Sequence, residues 1–196
     1  MSVGARRFAR ANVRTASRSQ TSVTYSAGDL PSMRASRSPG SSAAVRRSTS
    51  LQGSQATCAL YASTRAEELE RVDWPDEQKN AFVVMQFSQQ HQHYQLHFPD
   101  AGYYILFQGE TPVGRLYVHW RRGNALHLMD LTLAPEHRNR GIGTAIMHAL
   151  MRETARSAER MTLYVEGFNP AFRLYQRLGF QPAETHGIYS LMEWKP

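Results

Sequence analysis

The sequence predicts an α/β domain built on a mixed, mostly antiparallel sheet flanked by helices. Three observations predict it. Between Tyr103 and Ala134, apolar runs are separated by the short turns Gly109-Glu110-Thr111 and Arg122-Gly123-Asn124, the pattern of antiparallel hairpins. From Met129 to Met151 the chain reads as strand, glycine-rich turn and amphipathic helix. Beyond it come a strand, a helix and two closing strands, and this order suits a mixed sheet with helices packed on it.

The N-terminal part reads differently. Residues 1–57 are rich in Ser, Arg and Ala with little periodicity, too little apolar surface to offset the entropy of ordering, so they are expected to be a disordered extension before a domain at 58–196. Charge follows the same division. The 196-residue chain has a formal net charge of +7, while residues 1–60 hold nine arginines and one acid, Asp29, so the remainder lies just on the acidic side of neutral. The basic character belongs to the tail and says little about the domain. Three readings of the tail stand side by side: an inert or artefactual extension, an organelle transit peptide, and, ranked last, an arm for nucleic acid. Arginine outnumbers lysine 21 to 2, a bias typical of GC-rich coding sequence and favouring the first. The single cysteine, Cys58, allows no intrachain disulfide, so a reducing, cytoplasmic setting is expected, or an organelle if the tail is a targeting segment. No apolar run reaches the length of a membrane span, and no membrane association is expected.

Within the domain, Ser63 to Val72 predicts a short helix capped by Ser63 or Thr64, with acids at 67 and 68 near its start. Asp73-Trp74-Pro75 breaks it, and a second helix runs from Pro75 or Asp76 to about His97, with Phe82, Met85, Phe87 and Tyr94 as its apolar residues. His93 and His97 stand one turn apart with His91 nearby. No H-E-x-x-H and no supporting carboxylate accompanies them, so they read as a solvated face and no metal is expected. Strands are predicted at Tyr103–Gln108, Pro112–Arg121, Ala125–Ala134, Met161–Val165, about 180–185 and about 188–194. Helices are predicted over about 142–157 and 170–178.

The turn carries the first chemical signal. Pro135 stops the strand, and Arg138-Asn139-Arg140-Gly141-Ile142-Gly143-Thr144 leads into a helix whose Ile142, Ile146 and Leu150 share one face. The first N–H groups of a helix lack internal partners and carry partial positive charge, so such a turn suits a phosphate. Gly141 and Gly143 let the backbone curl close to it, Arg138 and Arg140 add charge, and Thr144 adds a hydroxyl. Neither G-x-x-x-x-G-K-[ST] nor G-x-G-x-x-G is present. The plainer alternative is a helix start whose glycines serve packing.

Arg138-x-x-Gly141-x-Gly143, between a strand and an amphipathic helix, resembles the [QR]-x-x-G-x-[GA] signature of the GNAT superfamily of acyl-CoA N-acyltransferases. A later segment, with Val165, Asn169, Ala171, Tyr175 and Gly179-Phe180, resembles that family's second conserved stretch. The resemblance covers about residues 58–196. A GNAT domain opens with a strand and a helix. Here Val23–Pro31 is a faint match to the strand, and Leu60-Tyr61-Ala62-Ser63 looks like the end of the first helix.

The resemblance implies an N-acetyltransferase, with acetyl-CoA as co-substrate and an amine as acceptor. It implies that the backbone of the Arg138–Thr144 turn, Ile142 included, holds the pyrophosphate. It also implies that the strand ending in Leu133 splays from its parallel neighbour and pairs with the pantetheine arm. Tyr175 is implied as the general acid that protonates the departing thiolate; its alternative is a packing residue beside Leu174 and Leu178. Asn169 is implied as a cofactor contact, its alternative being a cap for the helix after Pro170. For the general base, Glu166, Asp130 and a water chain all stay open. The acceptor site is expected between the helices at 63–97 and the hairpin near His186–Tyr189. A small molecule is favoured over a protein, and a free amino acid, a polyamine, an aminoglycoside or a protein N-terminus would all fit. A monomer or homodimer is expected. The rival reading is a coenzyme A-binding domain without catalysis.

Overall fold

The structure, a computed structural model, describes residues 23–25, 43–47, 51–121 and 124–196. Among these, eight strands form one sheet in the order β1-β2-β3-β4-β5-β6-β8-β7, with β1 at Val23–Tyr25, β2 at Ala43–Arg47, β3 at Gly102–Gln108, β4 at Thr111–Arg121, β5 at Ala125–Leu133, β6 at Arg160–Glu166, β7 at Gln181–His186 and β8 at Tyr189–Trp194. Neighbouring strands run antiparallel except for β1 with β2 and β5 with β6. Helices α1 (Leu51–Leu69) and α2 (Asp76–His97) precede β3, α3 (Ile142–Ser157) joins β5 to β6, and α4 (Ala171–Arg177) follows β6. The mixed, mostly antiparallel sheet flanked by helices is the architecture expected from the sequence.

The sheet separates two apolar layers. On one face, Ile142, Ile146 and Leu150 of α3 and Leu174 and Tyr175 of α4 pack with Leu116, Leu131, Leu133, Leu163 and Val165. The four-residue spacing seen in the sequence is therefore the buried stripe of α3. On the other face α1 and α2 pack through Tyr61, Val83 and Phe87, and Tyr94 joins Tyr117 and Met129. Gly114 in β4 makes close pairing with β5 possible, because a Cβ there would run into the Thr132 carbonyl oxygen and the Leu133 side chain.

The N-terminal half departs from expectation. Residues 1–22, 26–42 and 48–50 of the predicted extension lie outside the described residues. Within the same stretch, however, β2 pairs antiparallel with β3, and α1 starts at Leu51. The expected boundary at Cys58 thus falls inside a helix, and the predicted helix from Ser63 is the second half of that helix. Ser63 and Thr64 do not cap it; their hydroxyls donate back to the carbonyls of Leu60 and Tyr61, three residues earlier. Val23–Tyr25 is a strand, but it lies parallel on β2, and β2 is the strand that pairs with β3. The reason β2 escaped notice is its composition. Ala-Ala-Val-Arg-Arg offers one strongly apolar residue, Val45, which is buried, while Arg46 pairs with Glu110 at 3.1 Å and lies over the Phe107 ring.

Candidate active site

The site begins where two parallel strands part. β5 and β6 are in register only from Ala125–Leu128 against Arg160–Leu163. Beyond that, β5 stays with β4, Asp130 opposite Tyr117 and Leu133 opposite Gly114, while β6 stays with β8, Tyr164 opposite Leu191 and Glu166 opposite Tyr189. An irregularity in the β4–β5 register between Tyr117 and Val118 sits at the same level. A bulge bends the strand that carries it and sharpens its twist, which turns the end of β5 away from β6. The edge of β5 over 130–133 is thus unpaired with β6, the divergence that the family resemblance implies.

The turn after β5 closes one end of this gap. A 3₁₀ turn at Pro135–His137 follows Ala134, and the backbone then passes through two left-handed residues, Asn139 (φ 63°) and Gly141 (φ 79°). Gly141 precedes α3 directly, where no side chain among the described residues caps the helix. A side chain at Gly141 would strain that backbone, and the missing cap leaves the first N–H groups of α3, those of Ile142, Gly143 and Thr144, suited to an anion. Arg140 and Asn139 are exposed beside them. Arg138 behaves differently from an outward-pointing phosphate ligand. Its Nε donates to the Leu133 carbonyl at 2.9 Å, so it braces the turn against the end of the splayed strand.

α4 closes the gap from the side of β6. Asn169 accepts the Ala171 N–H on its side-chain oxygen at 2.9 Å, so it caps α4 across Pro170. The helix carries Tyr175 into the interior with 0% exposure, its ring tilted against Phe180. The Tyr175 hydroxyl has no hydrogen-bond partner among the described residues. Burial pushes its pKa well above the ordinary tyrosine value, and the negative charge of Asp130 pushes it further.

The two carboxylates differ. Asp130, 1% exposed, is bound by Arg115 through Nη2 at 2.7 Å and Nε at 3.3 Å, and Thr132 donates to it at 2.8 Å. Glu166, also buried at 4% exposure, ends β6, and the Tyr189 hydroxyl donates to it at 3.2 Å. The β7–β8 turn docks here too, since the Gly167 N–H donates to the Ile188 carbonyl at 3.1 Å, and Phe168 and Ile188 stand exposed beside it. Asp130 and Leu133 thus lie on the part of β5 that has left β6, Glu166 ends β6, and the 138–144 turn and Asn169 and Tyr175 follow these two strands in the chain.

Arg115 belongs to this group although no motif marks it. The available signal is its place in Val113-Gly114-Arg115-Leu116-Tyr117, a charge in a strand otherwise buried on both faces. The histidines of α2 are separate: His93 and His97 stack at 4.1 Å, and His91 lies on Phe87 at 5.4 Å. Among the described residues no cluster of three or more His, Cys, Asp or Glu is disposed to hold a metal ion. No helix among them is long and apolar enough to cross a membrane.

The geometry has counterparts in known proteins. A family model described as "Acetyltransferase (GNAT) family" matches residues 64–180, more than half of the chain. Mycothiol acetyltransferase of Corynebacterium glutamicum is 33% identical over 97 residues, covering 47% of this chain and 32% of the relative. Its namesake from Corynebacterium aurimucosum is 42% identical over 60 residues, covering 30% and 20%. The chain thus spans about a third or less of the length of these curated relatives. Among solved structures, the PaiA N-acetyltransferase of Thermoplasma acidophilum in complex with coenzyme A superposes with a TM-score of 0.58 at 19% identity, over 79% of this chain and 99% of that one. The Campylobacter jejuni N-acetyltransferase PseH, in complex with acetyl coenzyme A, gives 0.52 at 17% identity over 78% and 98%. At such identities the likeness is one of fold.

Proposed function

The chain belongs to the GNAT family of acetyltransferases, and on that premise we propose that it transfers an acetyl group from acetyl-CoA to an amine by direct attack in a ternary complex. One observation carries the reading. A phenol that is fully buried, without a partner among the described residues and with its pKa raised by burial sits on the helix that follows β6, one of two parallel strands whose pairing ends early.

Each residue has a task in this reaction. The N–H groups at the start of α3, with Asn139, Arg140 and Thr144, hold the pyrophosphate, and Arg138 fixes the turn to Leu133. The free edge of β5 near Leu133 lines up the pantetheine arm as an added strand would. Asn169 fixes the start of α4, and so the position of Tyr175, while bordering the cofactor. As the amine nitrogen bonds to the acetyl carbon and the carbon–sulfur bond breaks, Tyr175 gives its proton to the departing sulfur. The nitrogen releases one proton, so an amide and a free thiol result. The phenol is then reprotonated from solvent.

Of the two carboxylates, Glu166 is the better relay for the amine's proton. Asp130 could accept it only by giving up a charge-assisted pair with Arg115. Burial, and after it the negative charge of Asp130, raises the pKa of Tyr175 and so keeps it protonated until sulfur needs the proton. A panel of primary amines assayed for release of the coenzyme A thiol tests the reading. Turnover with at least one amine is expected. Tight binding of acetyl-CoA with no acetylated product from any amine would favour a binding domain without catalysis.

A further inference from the structure

Glu166 is held at both its backbone and its side chain. As the last residue of β6 it pairs in register with Tyr189, the first residue of β8. Its backbone carbonyl accepts the Asn169 N–H at 2.9 Å, which turns the chain sharply towards α4. Its carboxylate accepts the Tyr189 hydroxyl on Oε1 at 3.2 Å. The same turn leads to the acid of the reaction, because the Asn169 side chain accepts the Ala171 N–H and Tyr175 follows one turn into α4. Residues opposite each other in register project from one face of a sheet, and alternation along β6 puts Glu166 on the face away from Leu163 and Val165, which pack with α3 and α4. The Glu166–Tyr189 pair therefore stands on the side of the sheet that carries α1 and α2. A buried carboxylate needs a donor, and the kind of donor differs between the two carboxylates. Arg115 holds Asp130 by an ion pair, which is lost if Asp130 takes a proton. A phenol hydrogen bond survives that change, since a protonated carboxyl still accepts on its other oxygen. Tyr189 can thus hold Glu166 in one direction before and after it takes a proton, as a relay requires.

We infer that Tyr189 is a positioning residue for the reaction: its hydroxyl aims the Glu166 carboxylate, so that the proton leaving the attacking amine meets an oxygen already in place. The nitrogen–hydrogen bond breaks as the oxygen–hydrogen bond on Glu166 forms, and the carboxyl then passes the proton to solvent. Tyr189 keeps its own proton throughout. The inference rests on Glu166 as the relay in acetyl transfer and adds the group that orients it.

The experiment is a double-mutant cycle on the full chain: wild type, Tyr189→Phe, Glu166→Gln and the double variant. Spermidine, phenethylamine and glycinamide serve as amine probes, and release of the coenzyme A thiol gives kcat and the KM for acetyl-CoA. Tyr189→Phe is expected to lower kcat by about tenfold, the scale of one hydrogen bond to a charged group, while the KM for acetyl-CoA holds. In the Glu166→Gln chain the same change should lower kcat by less than about twofold, because no carboxylate is left to aim. A tenfold loss in both backgrounds would mean that Tyr189 serves packing, and no loss in either that its hydroxyl is idle; each overturns the inference and leaves Glu166 as the relay. A Glu166→Gln chain as fast as wild type removes the relay, and the inference falls with it. No turnover with any of the three probes overturns it together with acetyl transfer to amines. If Tyr189→Phe folds less well, the cycle still decides, because lost folded protein lowers kcat by the same factor in both backgrounds.

Discussion

A tyrosine hydroxyl sealed from water with nothing to bond is unfavourable by about 1–3 kcal/mol, and among the described residues the Tyr175 hydroxyl has no partner, on a helix otherwise well packed. If the hydroxyl serves only the reaction, Tyr175→Phe should lower kcat by about 100-fold or more, the usual scale of acid catalysis. Acetyl-CoA affinity should be nearly unchanged and thermal stability equal or higher. Matching losses in turnover and affinity would mean the residue only packs. The two carboxylates should separate in the same way. Glu166→Gln is expected to slow turnover and leave the melting temperature in place. Asp130→Asn strands Arg115 as an unpaired buried cation, and should cost stability of about 3 kcal/mol or more, measured by urea denaturation. Tyr175 and Asn169 stand out in the sequence because motif spacing marks them, and Asp130 and Glu166 only by their places near the ends of two strands. Arg115 and Gln90 do not. Their meaning comes from a contact between α2 and β4, and nothing local in either segment points across that distance.

At the level of elements, the gap depends on how β4 carries β5. Gly114 lets β5 lie close at Thr132 and Leu133, the stretch that has left β6. Gly114→Val should push that edge into the gap. The expected outcome is weaker acetyl-CoA binding together with a lower melting temperature. A variant that melts lower but binds normally would show that this close approach serves packing only. The strand–turn–helix unit was legible because its signals are short-range: a proline stop, glycines before a helix, and a four-residue apolar repeat. The alternation of strands β3 to β5 was legible for the same reason. β2 was not, since its two arginines hide a strand whose single buried anchor is Val45, and it is specified by pairing with β3 rather than by its own composition. The start of α1 was hidden likewise, because Ser63 and Thr64 resemble caps until their hydroxyls are seen bonding back into the same helix.

The whole molecule should show its buried phenols in its response to alkali. Burial is the main cause raising the pKa of Tyr94, Tyr103, Tyr117 and Tyr175, with Tyr103 and Tyr117 pushed up to about 12. Folded chains hold these protons more tightly than unfolded ones. Their contribution to stability is therefore complete below a pH of about 10, the ordinary tyrosine value, and is lost as pH rises through the folded values. The melting temperature should fall steeply between about pH 10 and 12, and less steeply in Tyr117→Phe. An identical fall in the variant would exclude that tyrosine as a contributor. The account as a whole rests on acetyl-CoA lying in the gap with its pyrophosphate on the start of α3. The most direct test is thermal denaturation of the full chain with and without acetyl-CoA, beside Gly143→Trp, which fills the phosphate turn. Ligand that binds only the native state should raise the wild-type midpoint by several degrees, of the order expected for saturation near 100 times Kd, and leave the variant where it was. An equal rise in both, or no rise in a wild-type chain that unfolds cooperatively, would contradict the assignment.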